Sequence, residues 1–321
     1  MKLRDGLQLV LLSAIWGASF LLIQIAVSSF PPAWVASLRL LFGAGFLWTV
    51  LLAKRRKLPP VRLIVVLLLV ALFNNAIPFV LFPLGERSVP SSIAAVLNAT
   101  TPIWTLLLGM GFLGKKAEGG ALPGVVLGFL GVVLVVFSHG ATVGSASRHD
   151  YLLGAGFIAF ASAAYAIATV LAKSRLAGLD PIGLATTQLS LAGLMVLPVA
   201  LLGPHPAAIQ PASFAAAVTL GILGSGVAYL LFYTLLERVS PTRVASVTYL
   251  GPIWGLFWGK LAHESIHAMA YVGVGIVIAG LMLLSRGSSP CPASDQRGEA
   301  ASQGPAAEVA EMVCDARASV N

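Results

Sequence analysis

The stretch ATTPIWTLLLG, residues 99–109, recurs in altered form as YLGPIWGLFWG, residues 249–259. Pro102 and Pro252 hold the same place in the two stretches and are 150 positions apart. Other residue pairs keep one spacing in both halves of the chain: Gly124 and Gly131 with Gly273 and Gly280, and Pro32 and Arg39 with Pro181 and Gln188. The chain therefore contains two copies of one unit, and its fold must be interpreted as a repeat.

The composition indicates that most of the chain lies in a membrane. Of its 321 residues, 58% are hydrophobic and 10% are charged, and the mean hydropathy is +0.91. Ordinary soluble chains carry about 25% charged residues, and a membrane-crossing helix needs about 20 mostly apolar ones. We predict ten such helices, five in each repeat, at 7–28, 33–53, 61–82, 91–113, 120–138, 151–173, 181–202, 213–236, 241–260 and 267–285.

The positions of Lys and Arg predict the orientation. With the N-terminus inside the cell, three basic residues at span ends fall on the outer side: Arg87, Arg148 and Lys260. Fourteen fall on the inner side: Lys2, Arg4, Lys54, Arg55, Arg56, Lys57, Arg62, Lys115, Lys116, Lys173, Arg175, Arg238, Arg243 and Arg286. We therefore predict a multi-pass protein of the cell membrane with both termini cytoplasmic. The net charge of +8 is explained by topology and does not indicate nucleic-acid binding.

Three domains follow from the repeat: residues 1–140, residues 141–285, and a tail of 286–321. Five spans are an odd number, so the second copy is expected to be inverted relative to the first. Inverted repeats in many secondary transporters place a solute site near the midplane, between the two halves. The tail is rich in Ala, Ser, Gly and Pro, which predicts disorder. It holds both cysteines, so the apolar body can form no disulfide framework or Cys-based metal site.

The stretch IWGASFLLIQIAVSSFPPAWVASLRLLFGAG, residues 15–45, resembles the start of an EamA-type member of the drug/metabolite transporter superfamily. The paired Pro-Ile-Trp segments resemble the same family, and the resemblance covers about residues 7–285. It implies an all-α membrane protein of ten helices, arranged as two inverted five-helix repeats around a central cavity. It also implies peripheral fifth and tenth helices, and export or exchange of small metabolites.

One position departs from the family pattern. The family commonly ends the fourth helix of each half with Gly-Glu, whereas this chain keeps Glu264 in the second half and has Gly114-Lys115 in the first. An acid present in only one half is more simply a helix-end or topogenic residue than a coupling residue.

Polar side chains from several spans share one depth. At about 1.5 Å per residue, Arg39, Asn74 and Asn98 lie roughly 4–6 Å outward of their span midpoints. In the inverted copy, Gln188, Thr248 and Tyr249 lie slightly inward of their span midpoints. We predict that this layer lines a central cavity and binds solute. Asn75 follows Asn74 at about 100° around the helix, so only one of the two amides is expected to face the cavity.

Prolines accompany three members of the layer. A proline inside a helix leaves the carbonyl four residues earlier without its donor. Pro78, Pro102 and Pro252 would do so for three residues with polar side chains: Asn74, Asn98 and Thr248. The functional interpretation is a kinked helix that offers both a carbonyl and a side chain to a solute. The structural alternative is that the amides hydrogen-bond neighbouring helices.

Arg39 and the aromatic residues also have two interpretations. Arg39 could hold a carboxylate or phosphate of a solute, or snorkel outward, or bind helix carbonyls. Aromatic residues near the span centres could line the cavity with polar tips or simply pack: Trp16, Tyr165, Tyr229, Tyr249 and Trp254. Outside the tail, every acid lies at a span end, which favours a neutral, zwitterionic or anionic solute.

Catalytic and metal chemistry find little support in the sequence. All five histidines fall on the outer side, and only His263 and His267 have a metal-like spacing, in a loop. An intramembrane transferase or protease would need a nucleophile and base at the midplane, and no such set is present. We therefore predict a secondary transporter that works by alternating access, with no metal or cofactor. Its expected partners are a small-molecule solute and the lipid bilayer, not nucleic acid, and a homodimer is left open.

Overall fold

The computed structural model describes residues 3–113, 121–138, 147–176, 178–236, 238 and 247–286. Within these ranges the regular structure is helical, and no β-strand is present. The α-helices have these bounds: α1 Leu3–Val27, α2 Pro32–Ala53, α3 Ile64–Ala71, α4 Ile77–Gly85, α5 Ser91–Asn98, α6 Thr101–Leu113, α7 Ala121–Ser138, α8 Arg148–Arg175, α9 Pro181–Leu202, α10 Pro211–Gly221, α11 Ala228–Leu236, α12 Val247–Leu261 and α13 Ala268–Arg286.

Local sequence explains several helix starts. Helices α2, α9 and α10 each begin at a proline, a residue whose fixed φ and missing N–H suit the first helical position. Asp180 precedes α9, and its carboxylate accepts a hydrogen bond of 2.8 Å from the backbone N–H of Gly183. That bond satisfies one of the free N–H groups at the helix start.

The predicted all-α membrane class is confirmed, and the predicted number of ten crossings stays a prediction. Seven helical spans in the described residues are long and apolar enough to cross a membrane, and two shorter apolar helices accompany them, Leu122–Ser138 and Ala268–Leu284. Helix α12 begins at Val247, and the residues directly before it lie outside the described ranges. The predicted domain boundary at 140, the Gly114-Lys115 departure and the tail from 287 also lie outside them.

Helices α7 and α13, which end the two repeats, cross each other through glycines. A Cβ placed on Gly124 would lie 2.7 Å from the carbonyl oxygen of Gly280, and one on Gly131 would lie 2.8 Å from that of Gly273. Even a methyl group would therefore meet backbone at both crossings. Equivalent glycines pair in reverse order, so the two helices run antiparallel, which is the relation that inverted repeats predict.

The remaining contacts recur in equivalent pairs. Helix α1 packs on α12, α10 and α11, whereas α8, which opens the second half, packs on α5, α6 and α4. Helices α2 and α9 hold equivalent places in the two halves and pack directly on each other. The two halves therefore meet along α2 and α9, near the centre of the bundle.

Two central spans are interrupted by π-helical turns. Leu72–Ala76 separates α3 from α4, and Ile222–Val227 separates α10 from α11. The two π-helical turns start 150 positions apart, as the repeat requires. At the first, the N–H of Ile77 donates to the carbonyl of Leu72, five residues earlier. Such turns occur frequently at functional sites.

Candidate solute-binding site

Polar side chains from both halves lie together at the centre of the bundle. We call Arg39, Asn74, Asn75, Gln188, Ser225 and Tyr229 the central polar layer. Its members come from α2, α9, α11 and the two π-helical turns. All have buried or half-buried side chains, and Asn75 is fully buried.

Asn74 and Asn75 hydrogen-bond across the repeat boundary to the second half. Nδ2 of Asn74 donates to Oε1 of Gln188 at 3.1 Å and to the hydroxyl of Tyr229 at 3.3 Å. Nδ2 of Asn75 donates to the same hydroxyl at 3.1 Å. Both amides therefore contact the same hydroxyl, and the expectation that only one of them faces the cavity stays a prediction. The π-helical turn changes the angle between successive side chains from that of an α-helix, so adjacent amides can reach one hydroxyl.

Arg39 points into the bundle and does not snorkel. Its side chain is 8% exposed, and its Nε donates to the hydroxyl of Ser225 at 3.0 Å. The central carbon of its guanidinium lies 3.7 Å from the ring centroid of Phe79, a cation–π arrangement. No carboxylate among the described residues lies within ion-pair distance of Arg39. Its charge is therefore held by a ring face and one hydroxyl, without an anion.

The repeat symmetry organises these contacts. Arg39 and Gln188 hold the same place in the two repeats, seven residues after Pro32 and Pro181. Each contacts the π-helical turn of the other half, Arg39 at Ser225 and Gln188 at Asn74. Both halves are therefore required to build the layer.

Asn98, Thr248 and Tyr249 lie outside this network of hydrogen bonds. The predicted kink at Pro102 is a break between α5 and α6, and the carbonyl of Asn98 accepts a hydrogen bond of 2.7 Å from the hydroxyl of Thr101. Oδ1 of Asn98 is buried and has no partner among the described residues. Thr248 and Tyr249 are half-buried, and Tyr249 packs against the largest apolar cluster.

The aromatic residues divide into two groups. Trp16 packs on Phe232 with ring centroids 5.6 Å apart, and Tyr165 stacks on Phe82 at 6.0 Å. These two pairs are equivalent in the repeats, and each joins one half to the other. Trp254 has a packing role, because its indole N–H donates to Ser13 at 3.0 Å and its Cβ fills the space beside a glycine of α1.

Sequence reasoning missed Ser225 and Phe79. Each has a counterpart in the other half that was singled out: Ser225 lies 150 positions after Asn75, and Phe79 lies 150 positions before Tyr229. Taking the position 150 residues away from each selected residue would have found both. In the described residues, no cluster of three or more His, Cys, Asp and Glu side chains could hold a metal ion.

The two ends of the bundle carry different contacts between the α2 and α9 regions. At the end with the basic residues 54–57, Arg56 forms an ion pair of 3.2 Å with Asp180. A cavity of about 70 Å³ lies beside this pair and reaches Leu230 and Thr234 on α11. At the other end the ring of His205 lies 5.8 Å from that of Trp34.

Comparison with known proteins assigns a function to this architecture. The model of the EamA-like transporter family matches the chain twice, at residues 5–137 and 152–286. The uncharacterised inner membrane transporter YedA of Escherichia coli strain K12 is 28% identical, over 87% of this chain and 90% of its own length. Protein PecM of Dickeya dadantii is 26% identical, over 84% of this chain and 88% of its own length.

Relatives extend to archaea and to solved structures. An uncharacterised transporter of Archaeoglobus fulgidus is 25% identical, over 88% of this chain and 99% of its own length. One solved crystal structure has a TM-score of 0.62 at 18% identity and covers 89% of this chain and 99% of that one. At that identity the similarity shows a shared fold only.

Proposed function

The chain belongs to the EamA-like transporter family, and from this premise we infer what its central polar layer does. Its relatives are transporters and not enzymes, so the chain is a multi-pass membrane transporter with a small-molecule solute and a lipid bilayer as partners. We propose that it is a secondary transporter that exports or exchanges amino-acid-like metabolites by alternating access, with the central polar layer as its binding site.

One observation carries the proposal: Arg39 is buried at mid-bundle, and no carboxylate among the described residues lies within ion-pair distance of it. A buried charge without a counter-ion is costly. Arg also presents five donors in a planar fork that fits a carboxylate with two parallel hydrogen bonds. Of those donors, only Nε is occupied by a described side chain, the hydroxyl of Ser225. A solute carboxylate would therefore supply the missing counter-charge.

The rest of the layer suits the other polar groups of such a solute. The Gln188 amide and the Tyr229 hydroxyl can each both donate and accept hydrogen bonds. In the structure they accept hydrogen bonds from Asn74. A bound amine or hydroxyl would exchange partners with these groups. The Trp16–Phe232 and Tyr165–Phe82 pairs would offer apolar contact to a short side chain of the solute.

Alternating access then requires that the two ends open in turn. We propose ten helices in two inverted repeats, with both termini cytoplasmic, so that the Arg56–Asp180 ion pair closes the cytoplasmic end. The contact between Trp34 and His205 would close the opposite end. One partner of each closure holds an equivalent place in the repeats, since Arg56 and His205 are 149 positions apart.

Counterflow in proteoliposomes tests the binding proposal. We would assay radiolabelled L-amino acids and small monocarboxylates, with the corresponding amino-acid amides as controls that lack the carboxylate. The expected result is uptake of one or more carboxylates, lost in Arg39→Leu and kept in Thr49→Val. Thr49 lies on the same helix, and its hydroxyl bonds only to its own turn, at Gly45. Equal transport of acids and amides by the native protein would contradict the assignment to Arg39.

Cysteine accessibility tests the orientation. In a Cys291→Ser, Cys314→Ser background, Ala207→Cys should react with an impermeant thiol reagent from outside intact cells. Arg55→Cys should react only after the cells are opened, and a tag placed after Ser285 should be cytoplasmic. Labelling of Ala207→Cys from the cytoplasm alone would overturn the inverted arrangement.

A further inference from the structure

Glu86 is an acidic side chain in an unusual position at the end of α4. It caps the C-terminus of that helix, directly after the span Val61–Gly85. Its side chain is only 3% exposed, and both of its carboxylate oxygens are buried with no hydrogen-bond partner among the described residues. The next residue, Arg87, is exposed. The chain thus turns Glu86 into the bundle while its neighbour remains at the surface.

The nearby Glu264 shows how a carboxyl group is held by donors in the same region. Its two oxygens accept four hydrogen bonds at the start of α5, from the backbone N–H and hydroxyl of Ser91 at 2.9 and 2.6 Å and from those of Ser92 at 3.2 and 2.5 Å. The start of a helix is a favourable position for an acidic side chain. Glu86 has none of these contacts.

The charged and titratable groups around Glu86 come from several elements. Helix α2 contributes Arg39, and the loop after α12 contributes Glu264. Helix α8, which packs on α4, contributes two phenols, the buried Tyr151 and the half-buried Tyr165, while its His149 and Asp150 are exposed. The contacts of α1 with this region are through Phe20, against Phe82, and through the uncharged Gln24, which accepts from the N–H of Ser91.

From this geometry we propose that Glu86 is a proton-binding site, protonated in the closed arrangement and deprotonated when its end of the bundle opens to water. A protonated carboxyl carries no charge, so its burial costs far less than that of a carboxylate. Burial raises the pKa of Glu86 well above its ordinary value, the charge of Glu264 raises it further, and Arg39 opposes the rise. When the site is wetted, the desolvation that holds the proton is lost.

Arg39 links this proton site to the central polar layer. It is the charged group that favours the ionised form of Glu86. An anion bound at Arg39 would offset that effect and strengthen proton binding at Glu86. By reciprocity, the proton would then strengthen anion binding to the same degree. This coupling rests on the proposed function, whereas the proton site itself does not.

Infrared difference spectroscopy of the purified full-length protein in lipid nanodiscs tests the site without any solute. Titrated with buffer alone, the native protein should keep the C=O stretch of a protonated carboxylic acid at pH values well above the ordinary Glu pKa of about 4.3. The band should be absent in Glu86→Gln and present in Glu264→Gln. An unchanged band in Glu86→Gln, or no such band in the native protein, would overturn the proposal.

Two further measurements keep the test decisive. If Glu86→Gln does not fold, Glu86→Asp should shift the frequency and pH midpoint of the band, and an unshifted band would refute the assignment. Thermal unfolding tests the direction of the pKa shift. A raised pKa means that the folded state binds more protons than the unfolded state, so the free energy of unfolding falls as the pH rises from the unfolded to the folded pKa of Glu86. Glu86→Gln should flatten this decline. A native band together with absent carboxylate counterflow would retain the proton site and reject the proposed function.

Discussion

The two π-helical turns share a backbone conformation and differ in their side chains. The first, Leu72–Ala76, carries two adjacent amides and is followed by Pro78. The second, Ile222–Val227, carries Ser225 between two glycines and is followed by an alanine at the place of that proline. The wide turn therefore does not depend on the proline. It belongs to the repeated unit.

Because their side chains differ, the two turns contribute different groups to the site. The first turn supplies hydrogen-bond donors to Gln188 and Tyr229. The second supplies space and one hydroxyl: a Cβ on Gly221, just before it, would lie 2.9 Å from the backbone oxygen of Arg39. That close approach brings Arg39 within reach of Ser225. The first turn thus provides hydrogen-bond donors, and the second provides the space and the hydroxyl that hold the Arg39 guanidinium.

Replacing Arg39 tests whether its guanidinium binds the solute, and it should have the largest effect on affinity. Loss of a hydrogen bond to a charged group costs about 1.5–3 kcal/mol, so Arg39→Leu should weaken solute binding roughly 10- to 150-fold. Arg39→Lys should retain little affinity if a bidentate fork holds the carboxylate, because a lysine cannot reproduce that geometry. Binding measured by isothermal calorimetry on both variants decides this. Native affinity in Arg39→Leu would remove Arg39 from the site.

Exchanging Gly and Ala at the equivalent positions 226 and 76 tests whether the second turn is packed more tightly than the first. In Gly226→Ala the new Cβ would lie 2.5 Å from the ring of Phe46, and such overpacking costs about 1–3 kcal/mol. At the equivalent place in the first turn, Ala76→Gly should cost only about 0.5–1 kcal/mol. Thermal unfolding of the two variants in one detergent should therefore rank Gly226→Ala as the less stable. The reverse order would show that the two turns do not differ in tightness.

Replacing the asparagine side chains tests whether their amides bind the solute. Asn74→Leu should weaken solute binding by about 0.5–1.5 kcal/mol if the lost partner is neutral, and by more if it is charged. Asn98 lies outside the central polar layer, but its buried Oδ1 has no partner among the described residues, so the prediction from the sequence that Asn98→Leu also weakens binding is kept. Affinity and melting temperature should be measured on the same purified variants. Normal affinity with lowered stability in both would mean that these amides are structural.

The ion pair at the bundle end should have the smallest effect. Arg56 is about half exposed, and exposed ion pairs typically contribute about 0.2–1 kcal/mol. Asp180→Asn removes the charge and keeps an oxygen that can cap α9 at Gly183. Its effect on stability should fall further as salt is added. A salt-independent loss would indicate that the cap, not the ion pair, is the important contact.

The site was predicted unevenly from the sequence. Arg39, Asn74, Gln188 and Tyr229 stand out because polar groups at mid-span depth are rare. Ser225 does not, since a hydroxyl in a helix can bond to its own backbone. Glu86 lies at a span end by position, and nothing in its neighbours along the chain shows that the side chain turns inward. Burial depends on what packs against α4.

The membrane location, the helical class and the repeat could all be predicted from the sequence, because they follow from the average polarity of the chain, the length of its apolar runs and the recurrence of prolines and glycines. Which side chains contact each other could not, because that depends on how the helices pack. Asn74 and Gln188 are 114 positions apart, and Arg39 and Ser225 are 186 apart. Such distant residues come together only when two halves pack, and the π-helical turns then fix their directions.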